Sequence, residues 1–240
     1  GWLWFETWQG IHRTDGTTVE LVASEPKNAR TFVESDGYAV FVARSFVGAD
    51  TWALWRSDGT EQGTISIDIL TGDPPYQPKL VSIGSKVIVA VRVTSSINAL
   101  LALDTAAGTT TILNFGDQVD EMVGLDGEAL VGRNYLWRTD GTPAGTIELV
   151  DFRAIELGAL GDGTFWVNGR TNGDEIGYEP YRAVVDGPLE LAQDVAPPGS
   201  DGGHYSSLAR TTDGSVYFEE FSDIYRTDGT PEGTLWIAEG

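Results

Sequence analysis

Carboxylates are the residues with the most chemical potential in this chain. Asp and Glu number 36 against 15 Lys and Arg, for a formal net charge of −21. Many recur in one setting. Asp15, Asp58, Asp140 and Asp228 each stand in an Arg-(Thr/Ser)-Asp-Gly-Thr turn, with Arg13, Arg56, Arg138 and Arg226 two places earlier. Such a turn offers one carboxylate where Ca²⁺ wants several oxygens, so a mechanical role is the better reading. Asp accepts from the amides ahead of it, Gly takes the left-handed angle and the Thr hydroxyls tie the loop. A different loop, NGRTNGDEIGYE, gathers Asn172, Asp174, Glu175 and Glu179. Its alternating carboxylates and amide could hold Ca²⁺, with a solvated loop as the alternative, and no other cofactor is expected.

Catalytic signatures are scarce. There are two histidines, and His12 takes an aromatic position that points to packing. No Gly-x-Ser-x-Gly elbow, Walker loop or His-x-x-x-His pair is present. With no cysteine, thiol nucleophiles, disulfides and thiolate-bound zinc are excluded. A carbohydrate-active lyase or hydrolase stays open, because scattered acids or arginines can meet through folding. Binding has more to work with. Alternation places Trp2, Trp4 and Trp8 on one face of the opening segment, and Trp52 joins this aromatic group. Exposed aromatics stack on sugar rings and anchor protein interfaces, whereas buried ones fill seams. A Pro- and Gly-rich crossover, Asp194–Tyr205, adds His204 and Tyr205 as candidate ligand contacts.

The elements that must position these groups follow from internal repetition. LWRSDGTEQGT, LWRTDGTPAGT and IYRTDGTPEGT align with IHRTDGT, and two worn copies, LALDTAAGT and PYRAVVDG, fall between them. The aromatic position recurs at His12, Trp55, Ala102, Trp137, Tyr181 and Tyr225, about the length of one four-stranded propeller blade apart. Asp36-Gly37, Gly84-Ser85, Asp126-Gly127, Asp162-Gly163 and Asp213-Gly214 punctuate the chain in phase, as two-residue hairpins would. One blade reads as strand a, hairpin, strand b, loop, strand c with its aromatic and Arg, the Asp-Gly-Thr turn, and strand d. The 30 glycines and 8 tryptophans agree with an all-β chain of many tight turns.

The expected fold is therefore an all-β, six-bladed β-propeller of four-stranded antiparallel blades. It is read as a single domain over 1–240, with blades near 1–24, 25–70, 71–115, 116–151, 152–196 and 197–240. Gly1 falls where an a–b hairpin glycine belongs, so the first blade lacks its innermost strand. A missing chain segment of a longer parent, or a partner, would then complete that blade.

LWRTDGTPAGTIELV, IYRTDGTPEGTLWIAE and the linking stretch Leu191–Glu220 resemble the bacterial ELWxxDGT repeat family. The likeness covers essentially the whole chain, with the third blade most divergent. The family's usual Glu ahead of the aromatic pair survives only at Glu179. The resemblance implies a propeller and an extracytoplasmic setting (secreted, periplasmic or cell surface), and it carries over no catalytic residue.

The acidic field would repel phosphate backbones and anionic lipid, so nucleic acid is not expected as a partner. No apolar run is long enough to span a bilayer as a helix. The leading expectation is a non-catalytic binding or adhesion propeller that recognises glycan or protein. The alternatives are a structural subunit or fragment of a larger surface or membrane-associated assembly and, third, the carbohydrate-active enzyme.

Overall fold

The computed structural model describes residues 1–44, 52–70, 78–92, 98–113, 119–125, 127–132, 134–160, 164–171, 178–184, 189–192, 206–211, 213–220 and 222–239. Among them every helical or extended element is a strand, and the strands pair into six antiparallel sheets. The contacts divide the chain into two parts, 1–118 with 140–146, and 119–139 with 147–240. Each part is described by itself.

The first part holds three sheets. The first sheet contains β1 (Leu3–Thr7), β2 (Gly10–Thr14) and β3 (Val19–Ala23). The second contains β4 (Arg30–Ser35), β5 (Tyr38–Arg44), β6 (Trp52–Ser57) and β7 (Ile65–Leu70). The third contains β8 (Lys79–Ile83), β9 (Lys86–Arg92), β10 (Asn98–Asp104) and β11 (Thr109–Leu113). Strands that follow one another along the chain lie side by side, so each sheet is a meander. Asp36 and Gly37, at φ 51° and 79°, make the tight β4–β5 hairpin, whose positive angles match the strand twist. The first sheet has three strands, and β1 forms its edge.

The second part holds the fourth sheet, β12 (Glu121–Leu125), β13 (Glu128–Gly132), β14 (Leu136–Thr139) and β15 (Ile147–Val150). The fifth contains β16 (Phe152–Ala159), β17 (Phe165–Thr171), β18 (Glu179–Ala183) and β19 (Leu189–Leu191). The sixth contains β20 (Ser206–Arg210), β21 (Val216–Glu220), β22 (Asp223–Thr227) and β23 (Leu235–Glu239).

The inner sheets bury both faces, which explains why their central strands are continuously apolar. On β5, Val40 and Val42 pack with Val87, Val89, Leu101 and Leu103 of the third sheet. Phe41 and Ala43 point the other way, into a cluster with Ile11 of the first. On β17, Phe165 and Val167 face Leu130 and Leu136 of the fourth sheet, while Trp166 packs with Val216 and Phe218 of the sixth. Each large side chain so buried contributes about 1.5–3 kcal/mol. The repeat aromatics Trp55, Tyr181 and Tyr225 all join the cluster shared with the preceding sheet. A bulge sits just before the aromatic position in four sheets, between Ile11/His12, Leu54/Trp55, Leu136/Trp137 and Ile224/Tyr225.

The Asp-Gly-Thr turn is built around one carboxylate oxygen. Asp58 Oδ1 accepts from the Thr60 amide at 2.9 Å and the Thr60 hydroxyl at 2.7 Å. That hydroxyl accepts in turn from the Gly63 amide at 2.9 Å, and the Thr64 hydroxyl donates to the Thr60 carbonyl at 2.7 Å. The same four bonds recur around Asp140 and Asp228. Its two glycines serve different ends. Gly59, Gly141 and Gly229 have φ of 92°, 76° and 87°, where a side chain is strained. Gly63, Gly145 and Gly233 carry no such angle and instead lie against the carboxylate. A β-carbon there would fall 2.0–2.1 Å from Asp58, Asp140 or Asp228.

Gly63→Ala and Gly145→Ala should therefore each destabilise the fold by about 1–3 kcal/mol, as overpacking does. Gly158→Ala, whose β-carbon would meet nothing nearer than 3.7 Å, should change stability by less than about 0.5 kcal/mol. Denaturant unfolding of the three variants checks the contrast.

Candidate binding surface

The strand-borne arginines lie on the face opposite the repeat aromatics and point forward along the chain. Each is held first within its own sheet, by the residue two places before its cross-strand partner. Arg13 lies opposite Trp4, Arg56 opposite Val40, Arg138 opposite Leu130, Arg182 opposite Trp166 and Arg226 opposite Tyr217. The holding groups are the Trp2 ring at 4.3 Å, the Tyr38 ring at 5.0 Å, the Glu128 carboxylate at 3.8 Å, the Thr164 hydroxyl at 3.3 Å and the Ser215 hydroxyl at 2.6 Å. The holding position accepts aromatic, acidic or hydroxyl side chains, since all three can face a guanidinium.

The guanidinium then reaches the turn of the next sheet. Arg56 Nη1 donates to the Thr105 carbonyl and, at 2.9 Å, to the Ala106 carbonyl, both in the β10–β11 turn. A β-carbon on Gly59, in the β6–β7 turn, would lie 1.9 Å from Arg13 Nη1, and one on Gly229, in the β22–β23 turn, 3.2 Å from Arg182 Cδ. The third sheet has Leu103 at the arginine position, and Lys86 takes over. Its Nζ donates to the Asp140 carbonyl at 3.1 Å, in the 140–146 turn that groups with the first part. Thr105 and Asp140 occupy the same repeat position, so Arg56 and Lys86 meet the same carbonyl. The first-sheet turn is different. No described atom lies within 4 Å of a β-carbon built on Gly16, and Asp15 through Glu20 are exposed.

The turn carboxylates are held acidic by these same bonds. The Thr18 and Thr17 amides and the Thr17 hydroxyl keep Asp15 well below the usual carboxylate range. The Thr60, Thr142 and Thr230 hydroxyls lead the lowering at Asp58, Asp140 and Asp228. In the β20–β21 hairpin, the Thr211 hydroxyl and the Ser215 amide bring Asp213 down to about 2. Each carboxylate thus spends its oxygen on the loop itself. Among the described residues no three acidic or imidazole groups gather as metal ligands.

The aromatic candidates separate into two environments. Trp2 and Trp4 both lie beside Arg13, at 4.3 and 5.9 Å, and Arg13 also pairs with Glu20 at 2.8 Å. Trp52 is buried to 4% exposure in the core shared with the third sheet, under Arg30 at 5.0 Å. Trp8 leaves the strand for the β1–β2 turn and is 86% exposed, with Lys27 Nζ on its carbonyl at 3.2 Å. His12 is buried beside Phe5, with ring centroids 5.5 Å apart. Glu179 is buried in β18, opposite Gly169. Asn172, Asp174, Glu175, His204 and Tyr205 lie outside the described residues.

Two features escaped the sequence reading. The last strand of each sheet exposes apolar side chains, most of all β23, where Leu235, Trp236 and Ile237 are 48%, 58% and 44% exposed. Their position just after Gly-Thr in the repeat, on a strand with one free edge, was the available signal. In the second part, Leu136, Leu149, Tyr181, Ala183 and Leu189 help line an apolar cavity of about 330 Å³ between the fourth and fifth sheets.

No protein-family model and no curated protein matches the chain. Solved structures with β-propeller-like folds do. One is the extracellular domain of a one-component system from B. thetaiotaomicron, at 12% identity and TM-score 0.56, covering 100% of this chain and 32% of that one. A prolyl endopeptidase gives 15% identity and TM-score 0.62, covering 98% and 41%. Puromycin hydrolase gives 13% identity and TM-score 0.60, covering 95% and 41%. The chain thus spans between a third and two-fifths of these proteins' lengths, and the likeness is one of fold.

Two tests follow from the arginine and carboxylate geometry. Arg56→Ala should cost about 1–3 kcal/mol, because it strips charge-assisted donors from two turn carbonyls, and Arg56→Lys should recover part of the loss, as Lys86 does on Asp140. Acid should expose the carboxylate contribution. Because the folded pKa lies below the ordinary 3.8, the stability is present above 3.8 and is lost as pH falls, through about 2 for Asp213. Asp213→Asn should flatten the dependence of unfolding free energy on pH between 3.8 and about 2 relative to wild type, measured by denaturant titration at each pH.

Proposed function

We propose that the six sheets are the blades of one β-propeller, and that the chain is a non-catalytic, extracytoplasmic binding or adhesion module recognising glycan or protein. The observation that carries this reading is Trp8, an indole 86% exposed at the apex of a two-residue hairpin. An indole left in water has lost the hydrophobic gain that usually buries it, and in binding proteins such a group is recovered by a sugar ring or an apolar partner surface. Lys27 donates to the Trp8 main-chain carbonyl and so puts a cation on the same hairpin turn. The repeat arginines and carboxylates do not compete for this role, because they are used up in turns and between sheets. An extracellular domain among the similar folds supports the setting, as does the resemblance of the repeats to the ELWxxDGT family. Calcium would aid glycan binding through Asn172, Asp174 and Glu175, which lie outside the described residues.

Glycan arrays and surface-protein arrays, each run with and without Ca²⁺, test the reading. The expected result is specific capture that Trp8→Ala weakens by about tenfold or more, the range of a binding hot spot, with the fold unchanged. Absence of capture on every array, or capture indifferent to Trp8→Ala, would overturn it.

A further inference from the structure

We propose that Arg153, Arg170 and Tyr178, at one end of the fifth sheet, bind the carboxylate of an acidic sugar. The proposal rests on the glycan form of the reading above, and adds to it the class of sugar and a contact apart from the Trp8 tip.

The strand register brings the three side chains together. Arg153 on β16 lies directly opposite Arg170 on β17. The β17–β18 register, with Gly169 opposite Glu179, carries on to Tyr178 beside Arg170. Phe152 and Ala154 cluster with the fourth sheet, so alternation turns Arg153 to the other face, the one that Trp166, Asn168 and Arg170 share. Both guanidinium groups lie against the Tyr178 ring, at 5.9 and 5.0 Å. Arg153 is exposed, and Arg170 and Tyr178 are half-buried, so a ligand can reach the row.

This row runs against the habit of the chain. Like charges directly opposite one another oppose the pairing of their strands. The Tyr178 ring attracts both cations but carries no net charge to neutralise them. Three of the repeat arginines face acids, Arg13 at Glu20, Arg138 at Glu128 and Arg226 at Asp213. Among the described residues no carboxylate pairs with Arg153 or Arg170, although acids outnumber bases 36 to 15. The second sheet shows the simpler arrangement at this place. There Arg30 lies over the Trp52 ring at 5.0 Å with Val42 opposite it, and Arg44, opposite Trp52, is itself engaged.

The chemistry fits one carboxylate on an otherwise uncharged body. Guanidinium forks match the planar carboxylate and form the strong, charge-assisted class of hydrogen bond. A polyanion is disfavoured, because the −21 field repels every charge beyond the local pair. A peptide's terminal carboxylate is ordinarily captured by the N–H groups of a backbone nest, whereas this row offers side chains. A ring among them suits the apolar face of a sugar.

The test uses the whole chain and tri-galacturonic acid as probe, with its methyl ester as an uncharged control of the same shape. The acid should move the Nε–H signals of Arg153 and Arg170 in nitrogen NMR, and bind at least about tenfold tighter than the ester. Arg153→Ala and Arg170→Ala should each weaken binding by about tenfold or more with the fold unchanged, and Arg170→Gln serves where Arg170→Ala fails to fold. Trp8→Ala should leave this binding in place even where it abolishes array capture, so the two readings fail separately. The proposal is overturned if the acid moves neither signal, if the ester binds equally well, or if either arginine is dispensable. Binding that appears only after Asp174→Asn and Glu175→Gln would assign the row to the chain's own carboxylates. A tripeptide with a free C-terminus that binds as tightly would make it a peptide site, and either result overturns the proposal too.

Discussion

One hydrogen-bond pattern organises this chain: a turn aspartate oxygen that accepts an amide and a hydroxyl from the threonine two places on. Because the carboxylate folds back over its own loop, a glycine must follow five residues later, where a β-carbon would fall 2.0–2.1 Å from it at Asp58, Asp140 and Asp228. The turn so closed presents its first carbonyl outward at Asp140, where Lys86 of the preceding sheet takes it, and Arg56 takes the corresponding Thr105 carbonyl in the β10–β11 turn, which lacks the motif. A local turn motif thereby becomes a device for joining neighbouring sheets.

The join gives each sheet a direction. Trp55 packs backward against the first sheet, while Arg56, one residue on and on the opposite face, reaches forward to the third. Tyr181 and Arg182 repeat the arrangement, facing the fourth and sixth sheets. Alternation along a single strand is enough to produce it. The first sheet departs from the pattern on two counts: no described strand lies outside β1, and no described group lies on its Gly16 turn. The same repeat carries the most exposed tryptophan, Trp8. Repeated features build scaffold, and the repeat that breaks the pattern is where a partner has something to gain.

Much of the scaffold was legible because hairpins and strand alternation are local. Asp36-Gly37 marked the β4–β5 turn, and the strands of the second sheet fall within the expected 25–70 repeat. The all-β character and the three-stranded first sheet were legible for the same reason. Spacing alone could not say why Gly63 is glycine, since the reason is a carboxylate folded into the same space. Nor could it find the destination of Arg56, which lies 49 residues away at Thr105. Lys86 was invisible as a substitute for the arginine missing at Leu103, because it stands on the adjacent strand. Alternation grouped Trp8 with Trp2 and Trp4, but the hairpin turn begins at Trp8 and frees it from the strand face. Trp52 belongs to the core for the opposite reason: its strand is covered on both sides.

The most direct measurement is nitrogen NMR of the arginine guanidinium groups in the intact chain. If Arg56 links the second sheet to the third turn, its terminal N–H signals should be resolved, with slow rotation about Nε–Cζ and exchange with water well below that of a solvated arginine. A single averaged, rapidly exchanging signal for Arg56 would contradict the account, since it would leave the Thr105 and Ala106 carbonyls without their donor and the sheets joined by apolar packing alone.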